Sequence, residues 1–150
     1  MQGKIEDIKN IQNILWATFK VFYERDHNVE QYCNKVNDLV SEYDSELQWF
    51  CKNIVISWKS MIDSFAEDFR YGRDTAEKFY CVKHIQNTLW RIYKEFLADH
   101  KVKAYTDKAA ALVHEYDGKK DMMLFAQTLI LSWTPIINGL AEEFRNGTGG

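Results

Sequence analysis

Proline occurs once in 150 residues and glycine seven times, with three of the glycines in the last four positions. A sheet-rich fold needs more turn punctuation than that, so long helices joined by short links are expected. The three cysteines, Cys33, Cys51 and Cys81, are odd in number and never spaced C-x-x-C. That argues against a disulfide framework and reads as reduced thiols packed as small apolar residues. The longest strictly apolar run is a few residues, far short of the ~20 that a spanning helix needs. No cationic start leads into an apolar stretch with a small-residue cleavage site. A cytoplasmic protein with no membrane attachment is therefore expected. Charge of one sign is not in excess either, since 19 Lys and Arg face 22 Asp and Glu for a net −3. That balance offers no global attraction to nucleic acid or to an acidic membrane.

What is abundant is aromatic and apolar. Hydrophobic residues make up 46% of the chain, and Phe, Tyr and Trp alone make up 15%. Each aromatic buries ~150–250 Å², far too much to leave in water. A chain of this length can bury a sizeable core. The expectation is a single all-helical domain over residues 1–150.

The chain also resembles itself. Residues 7–26 align with 81–100 at an offset of 74, residues 28–44 with 101–117 at 73, and residues 46–72 with 121–147 at 75. Identities number 25 in 64 aligned pairs, and random pairing gives roughly a sixth of that on ordinary amino-acid usage. The expected fold is all-α, a six-helix bundle built by tandem duplication of a three-helix unit with pseudo-twofold symmetry. The repeats run over about 5–72 and 79–147. The link near Tyr71–Arg73 is only a few residues, which favours one fused bundle, with the aromatic stripes of both halves buried against each other, over an elongated pair of separate three-helix bundles.

Helical spacing marks each element. The first helix carries Ile5, Ile8, Ile11, Leu15, Phe19 and Phe22, echoed by Phe79, Val82, Ile85, Leu89, Tyr93 and Phe96. The second carries Val29, Tyr32, Val36, Leu39, Val40 and Tyr43, echoed by Val102, Tyr105, Ala109, Leu112, Val113 and Tyr116. The third, the most apolar, carries Leu47, Phe50, Ile54, Trp58, Ile62, Phe65 and Phe69, echoed by Met122, Phe125, Leu129, Trp133, Ile137, Leu140 and Phe144. Ser45 with Gln48, and Asp74 with Glu77, have capping-box spacing. Gly72 and Gly147 stand where a left-handed residue ends a helix. Pro135 predicts a kink, or a restart with Thr134 as N-cap. The chain after Arg145 is expected to fray.

Core matches between repeats need only packing to explain them, so the informative matches are polar. Lys9, Asn13, Trp16 and Lys20 fall on one line of the first helix, and Lys83, Asn87, Trp90 and Lys94 repeat it. At 100° per residue this stripe sits roughly 130° from the centre of the apolar face. A Trp flanked by Lys and Asn away from the core is a candidate binding anchor. The competing reading packs Trp16 and Trp90 between the halves, with the Lys stems lying over them. Two further sets recur. Glu42-Tyr43-Asp44 and Glu115-Tyr116-Asp117 suggest turn and cap roles, or pairing with the Lys stripe or an arginine. Glu67 with Arg70, and Glu142 with Arg145, suggest structural ion pairs.

No chemistry-bearing constellation emerges. A di-metal bundle needs two Glu-x-x-His pairs and only one such spacing occurs, Glu24 with His27, while the four histidines (27, 84, 100 and 114) lie at positions that the opposite repeat fills differently. No metal or cofactor is expected. Ser57 and Ser132 precede the core tryptophans and are expected to bond back to the previous turn. The expectation is a non-enzymatic protein–protein interaction module (an adapter, inhibitor or immunity-type protein). Its partner is an unknown protein or a second copy, and nucleic acid is not expected. The alternative is a small-molecule binder or enzyme with an aromatic cavity between the repeats, lined by Trp58, Trp133, Tyr43 and Tyr116.

Overall fold

A computed structural model describes residues 2–147. Six helices account for nearly all of them, and no strand occurs among the described residues: α1 (Gln2–Val21), α2 (Val29–Ser41), α3 (Ser45–Arg70), α4 (Ala76–Asp99), α5 (Val102–His114) and α6 (Lys120–Arg145). The all-helical expectation holds. The chain divides into two compact units, Met1–Asp74 and Thr75–Gly150. Each is a three-helix bundle with its own core.

In the first unit the α1 stripe Ile8, Ile11, Leu15, Phe19 and Phe22 is buried against Tyr32, Val36 and Leu39 of α2 and Phe50, Ile54, Trp58, Ile62 and Phe65 of α3. Phe19 fills the centre, 4.9 Å from Trp58 and 5.6 Å from Phe65 between ring centroids. The second unit repeats the arrangement with Tyr93 in place of Phe19, 4.7 Å from Trp133. The helices also match in length: α2 and α5 have 13 residues each, and α3 and α6 have 26 each. Each unit also has an ion pair near the starts of its first and third helices, Lys4 with Glu46 at 3.0 Å and Glu77 with Lys119 at 3.3 Å, at positions that do not align.

The units differ where the sequence offset changes. Between α1 and α2 the chain forms a π-helical turn, Phe22–Asp26, closed by the His27 N–H donating to the Phe22 carbonyl five residues back at 2.9 Å. In the second unit α4 runs regularly to Asp99, and the His100 N–H donates to the Phe96 carbonyl four residues back at 2.7 Å. One extra residue in the first unit is thus absorbed as a π turn, which turns the offset of 74 into 73. His27 and His100 are therefore counterparts. Both have left-handed backbones, with φ of 51° and 60°. Each lies flat on a phenylalanine, His27 on Phe69 at 3.5 Å and His100 on Phe144 at 3.7 Å. The preceding aspartates match as well, Asp26 accepting from the Asn28 N–H and Asp99 from the Lys101 N–H. A constant offset of 74 through residue 26 conceals this pair.

Helix ends correct three expectations. Ser45 does not cap α3, since its φ is +53° and Asp44 holds the N-cap position without a side-chain bond; the Gln48 amide reaches back to the Val40 carbonyl at 3.4 Å instead. At α4 the N-cap position falls to Thr75 rather than Asp74. Helix α6 passes through Pro135 without a restart. Proline removes the bond to the carbonyl of Leu131. The Gly72 expectation holds: its φ is +66°, its N–H donates to Phe69 and the Arg73 N–H to Asp68, the two bonds of a Schellman motif. Gly147 has φ +71°. Of the chain expected to fray after Arg145, the Asn146 and Gly147 N–H groups still donate to the Glu142 and Phe144 carbonyls, and residues 148–150 lie outside the described residues.

Helix α6 is long and apolar enough to cross a membrane by length and composition. Here its apolar face, from Met122 to Ala141, is core of the second unit.

Candidate interaction surfaces

The Lys–Asn–Trp–Lys stripe falls on α1 in one unit and α4 in the other, each helix spanning all four of its residues. Lys9, Asn13 and Lys20 are exposed, as are Lys83, Asn87 and Lys94. None of these six side chains has an ion pair or hydrogen bond among the described residues. Trp16 and Trp90 are half-buried. Trp16 is the member of its stripe nearest the apolar face, about 90° from its centre at 100° per residue. One side of its indole therefore leans inward, 6.2 Å from Trp58 at 53°. Trp90 meets Trp133 at 6.2 Å and 54°. Each indole is seated in its own unit, and its outer part stands among unpaired Lys and Asn.

Glu115 reaches His84 at 3.4 Å and Asp117 reaches His114 at 3.3 Å, so neither engages the Lys stripe or an arginine. Glu67 pairs with Arg73 rather than Arg70, at 3.4 Å. Arg73 also approaches the nearly buried Asp68 at 3.4 Å. Ser57 and Ser132 donate to the carbonyls of Asn53 and Thr128 in the previous turn, at 2.9 and 3.0 Å. Trp58 and Trp133 are each 2% exposed and enclosed by rings of their own unit. They fill cores instead of lining a cavity. The Tyr116 hydroxyl donates to the Cys81 carbonyl at 3.5 Å. Among the described residues no three or more His, Cys, Asp or Glu side chains gather as a metal site.

The structure adds a surface that core-directed periodicity passes over. Trp49 is 60% exposed and Ile56 69% on α3, and their aligned counterparts Leu124 and Leu131 are 54% and 67% exposed on α6. Each pair is spaced i, i+7 on the side of its helix away from the core stripe. The sequence signal is a large apolar residue opposite the core at the same two aligned positions of both units. Beside Leu131, between α5 and α6, lies an open cavity of about 500 Å³.

No known protein family, curated protein or solved structure matches the chain.

Proposed function

We propose that the chain is a tandem duplication of one three-helix unit that acts by binding other proteins rather than by catalysis, as an adapter, inhibitor or immunity-type module. The duplication is supported by the aligned identities, the equal lengths of matching helices and the paired His27–Phe69 and His100–Phe144 stacks. Binding is supported by one observation above the rest. Both units keep Lys, Asn, Trp and Lys at the same positions of their first helix, and the polar members have no partner among the described residues. Packing gives no reason to keep an exposed Asn or Lys twice. A half-seated Trp with a polar surround is the composition of an interface hot spot. The exposed pairs Trp49/Ile56 and Leu124/Leu131 enlarge the apolar surface each unit offers.

Alanine at Trp16 would confuse binding with packing, so the test uses the unpaired lysines. The full chain and a Lys9→Glu/Lys20→Glu/Lys83→Glu/Lys94→Glu variant are used as baits in the native host, alongside sedimentation of each. The reading expects unchanged melting, with loss of a captured protein or of self-association in the variant. Identical capture and identical sedimentation would refute it.

A further inference from the structure

We propose that the cavity between α5 and α6 of the second unit binds an uncharged, mainly apolar small molecule carrying a neutral polar end. The cavity holds about 500 Å³, within the ~300–1,000 Å³ range of ligand sites. All nine residues that line it are uncharged, and most of its wall is aliphatic. Ala109 and Ala110 form its α5 side, and Ile130 and Leu131 its α6 side. The neutral hydrogen-bonding groups are at hand: the Gln127 amide and the Thr106 hydroxyl are exposed and have no protein partner among the described residues.

The first unit supplies an internal comparison on the same three-helix framework. Ala109 aligns with Val36, Ala110 with Asn37, Gln127 with Lys52 and Thr134 with Lys59. At these four positions the second unit carries the smaller or the uncharged residue, while Ile130 in place of Val55 adds one methylene. The charge difference runs one way only, withdrawing both cations from a single wall. Removing charge selects against an anionic ligand and against an acidic peptide. It leaves an apolar molecule with neutral donors or acceptors as the chemistry that fits. This inference stands apart from the interaction role of the Lys–Asn–Trp–Lys stripe, which lies on α4 in this unit, and shares only Leu131 with the exposed apolar pair of α6.

The test titrates the full chain with N-phenyl-1-naphthylamine, an uncharged fluorophore of suitable size. Wild type is expected to give saturable, one-to-one enhancement. The variant Ala109→Val/Ala110→Asn/Gln127→Lys/Thr134→Lys carries the first unit's own residues, and is expected to bind at least tenfold more weakly. Ala110→Lys alters only an exposed position, keeps the helix intact and is expected to weaken binding in the same direction. The inference is overturned if wild type shows no saturable binding, or if folded Ala110→Lys protein binds as wild type does. It is also overturned if sedimentation shows that the probe merely displaces a second copy of the chain from this face.

Discussion

The indole of Trp16 lies 6.2 Å from that of Trp58, tilted at 53°, and this contact gives Trp16 a structural role as well as an outward face. Trp58 is 2% exposed while Trp16 is only half-buried. Trp16→Ala is therefore expected to cost about 2 kcal/mol, less than the ~3–5 kcal/mol of a fully buried aromatic such as Trp58. Urea denaturation of the two variants checks the order. Equal losses would mean that Trp16 belongs wholly to the core.

The π turn at Phe22–Asp26 makes an unusual deletion tolerable. Removing exposed Glu24 leaves Phe-Tyr-Arg-Asp-His, which has the length of Phe96-Leu-Ala-Asp-His100 in the second unit. The helix can then close with ordinary bonds while the Asp and His keep their places. Deleting exposed Glu95 from regular α4 instead rotates the last turn of that helix by about 100°, and moves Phe96 off the core. Thermal melts should show the Glu24 deletion within a few degrees of wild type and the Glu95 deletion several degrees lower, on the order of ~4–8 °C for each kcal/mol lost in a domain of this size. Similar losses for both would contradict the π-turn assignment.

Buried thiol and phenol groups set the alkaline limit of stability. Burial pushes the Cys51 thiol up to about 11, helped by the charge of Glu42. Burial likewise pushes Tyr116 up to about 12, with Cys81, Glu115 and Tyr80 adding to it. It also raises Tyr93 and Tyr105, and Tyr32 with help from Cys33 and Cys51. The hydroxyls of those three tyrosines are buried without a hydrogen-bond partner. In the unfolded chain thiols lose their protons near ~8.5 and phenols near ~10. Above those values the native state binds more protons than the unfolded one, so stability falls as pH rises. The contribution is complete below about pH 8 and drains away towards pH 11–12. Urea midpoints between pH 7 and 11, tracked alongside phenolate absorbance, check this. Phenolate absorbance near pH 11 that accounts for all eight tyrosines in a chain that is still folded would contradict it.

The architecture was legible in the sequence because its signal is repeated. Ile8 to Phe22, Val82 to Phe96, Phe50 to Phe65 and Phe125 to Leu140 are buried as their spacing predicts, and Gly72 has the backbone its position asked for. The outer members Ile5, Phe79, Leu47, Phe69 and Phe144, and Val29, Val40, Tyr43, Val102 and Val113 of the second helices, are only half-buried. Caps were less legible. Ser45 and Gln48 have the right spacing for a capping box, but spacing cannot show that the Asp44–Ser45 corner turns through positive φ. The His27–His100 equivalence was hidden because a single inserted residue inside a helix leaves no compositional mark. On the candidate surfaces, the stripe positions were read directly. The degree to which Trp16 and Trp90 lean inward was not, since it depends on an angular offset of a few tens of degrees. Trp49, Ile56, Leu124 and Leu131 were passed over because a helix as apolar as α3 or α6 reads as core on every side.

The central claim is that each unit presents its stripe tryptophan at an accessible surface. Acrylamide quenching of single-tryptophan variants of the full chain, with the other four replaced by phenylalanine, tests it most directly. The account predicts that Trp49 is quenched most, Trp16 and Trp90 less and about equally, and Trp58 and Trp133 least. Trp16 and Trp90 as shielded as Trp58 would show the stripes to be covered, and would contradict their assignment as interaction faces.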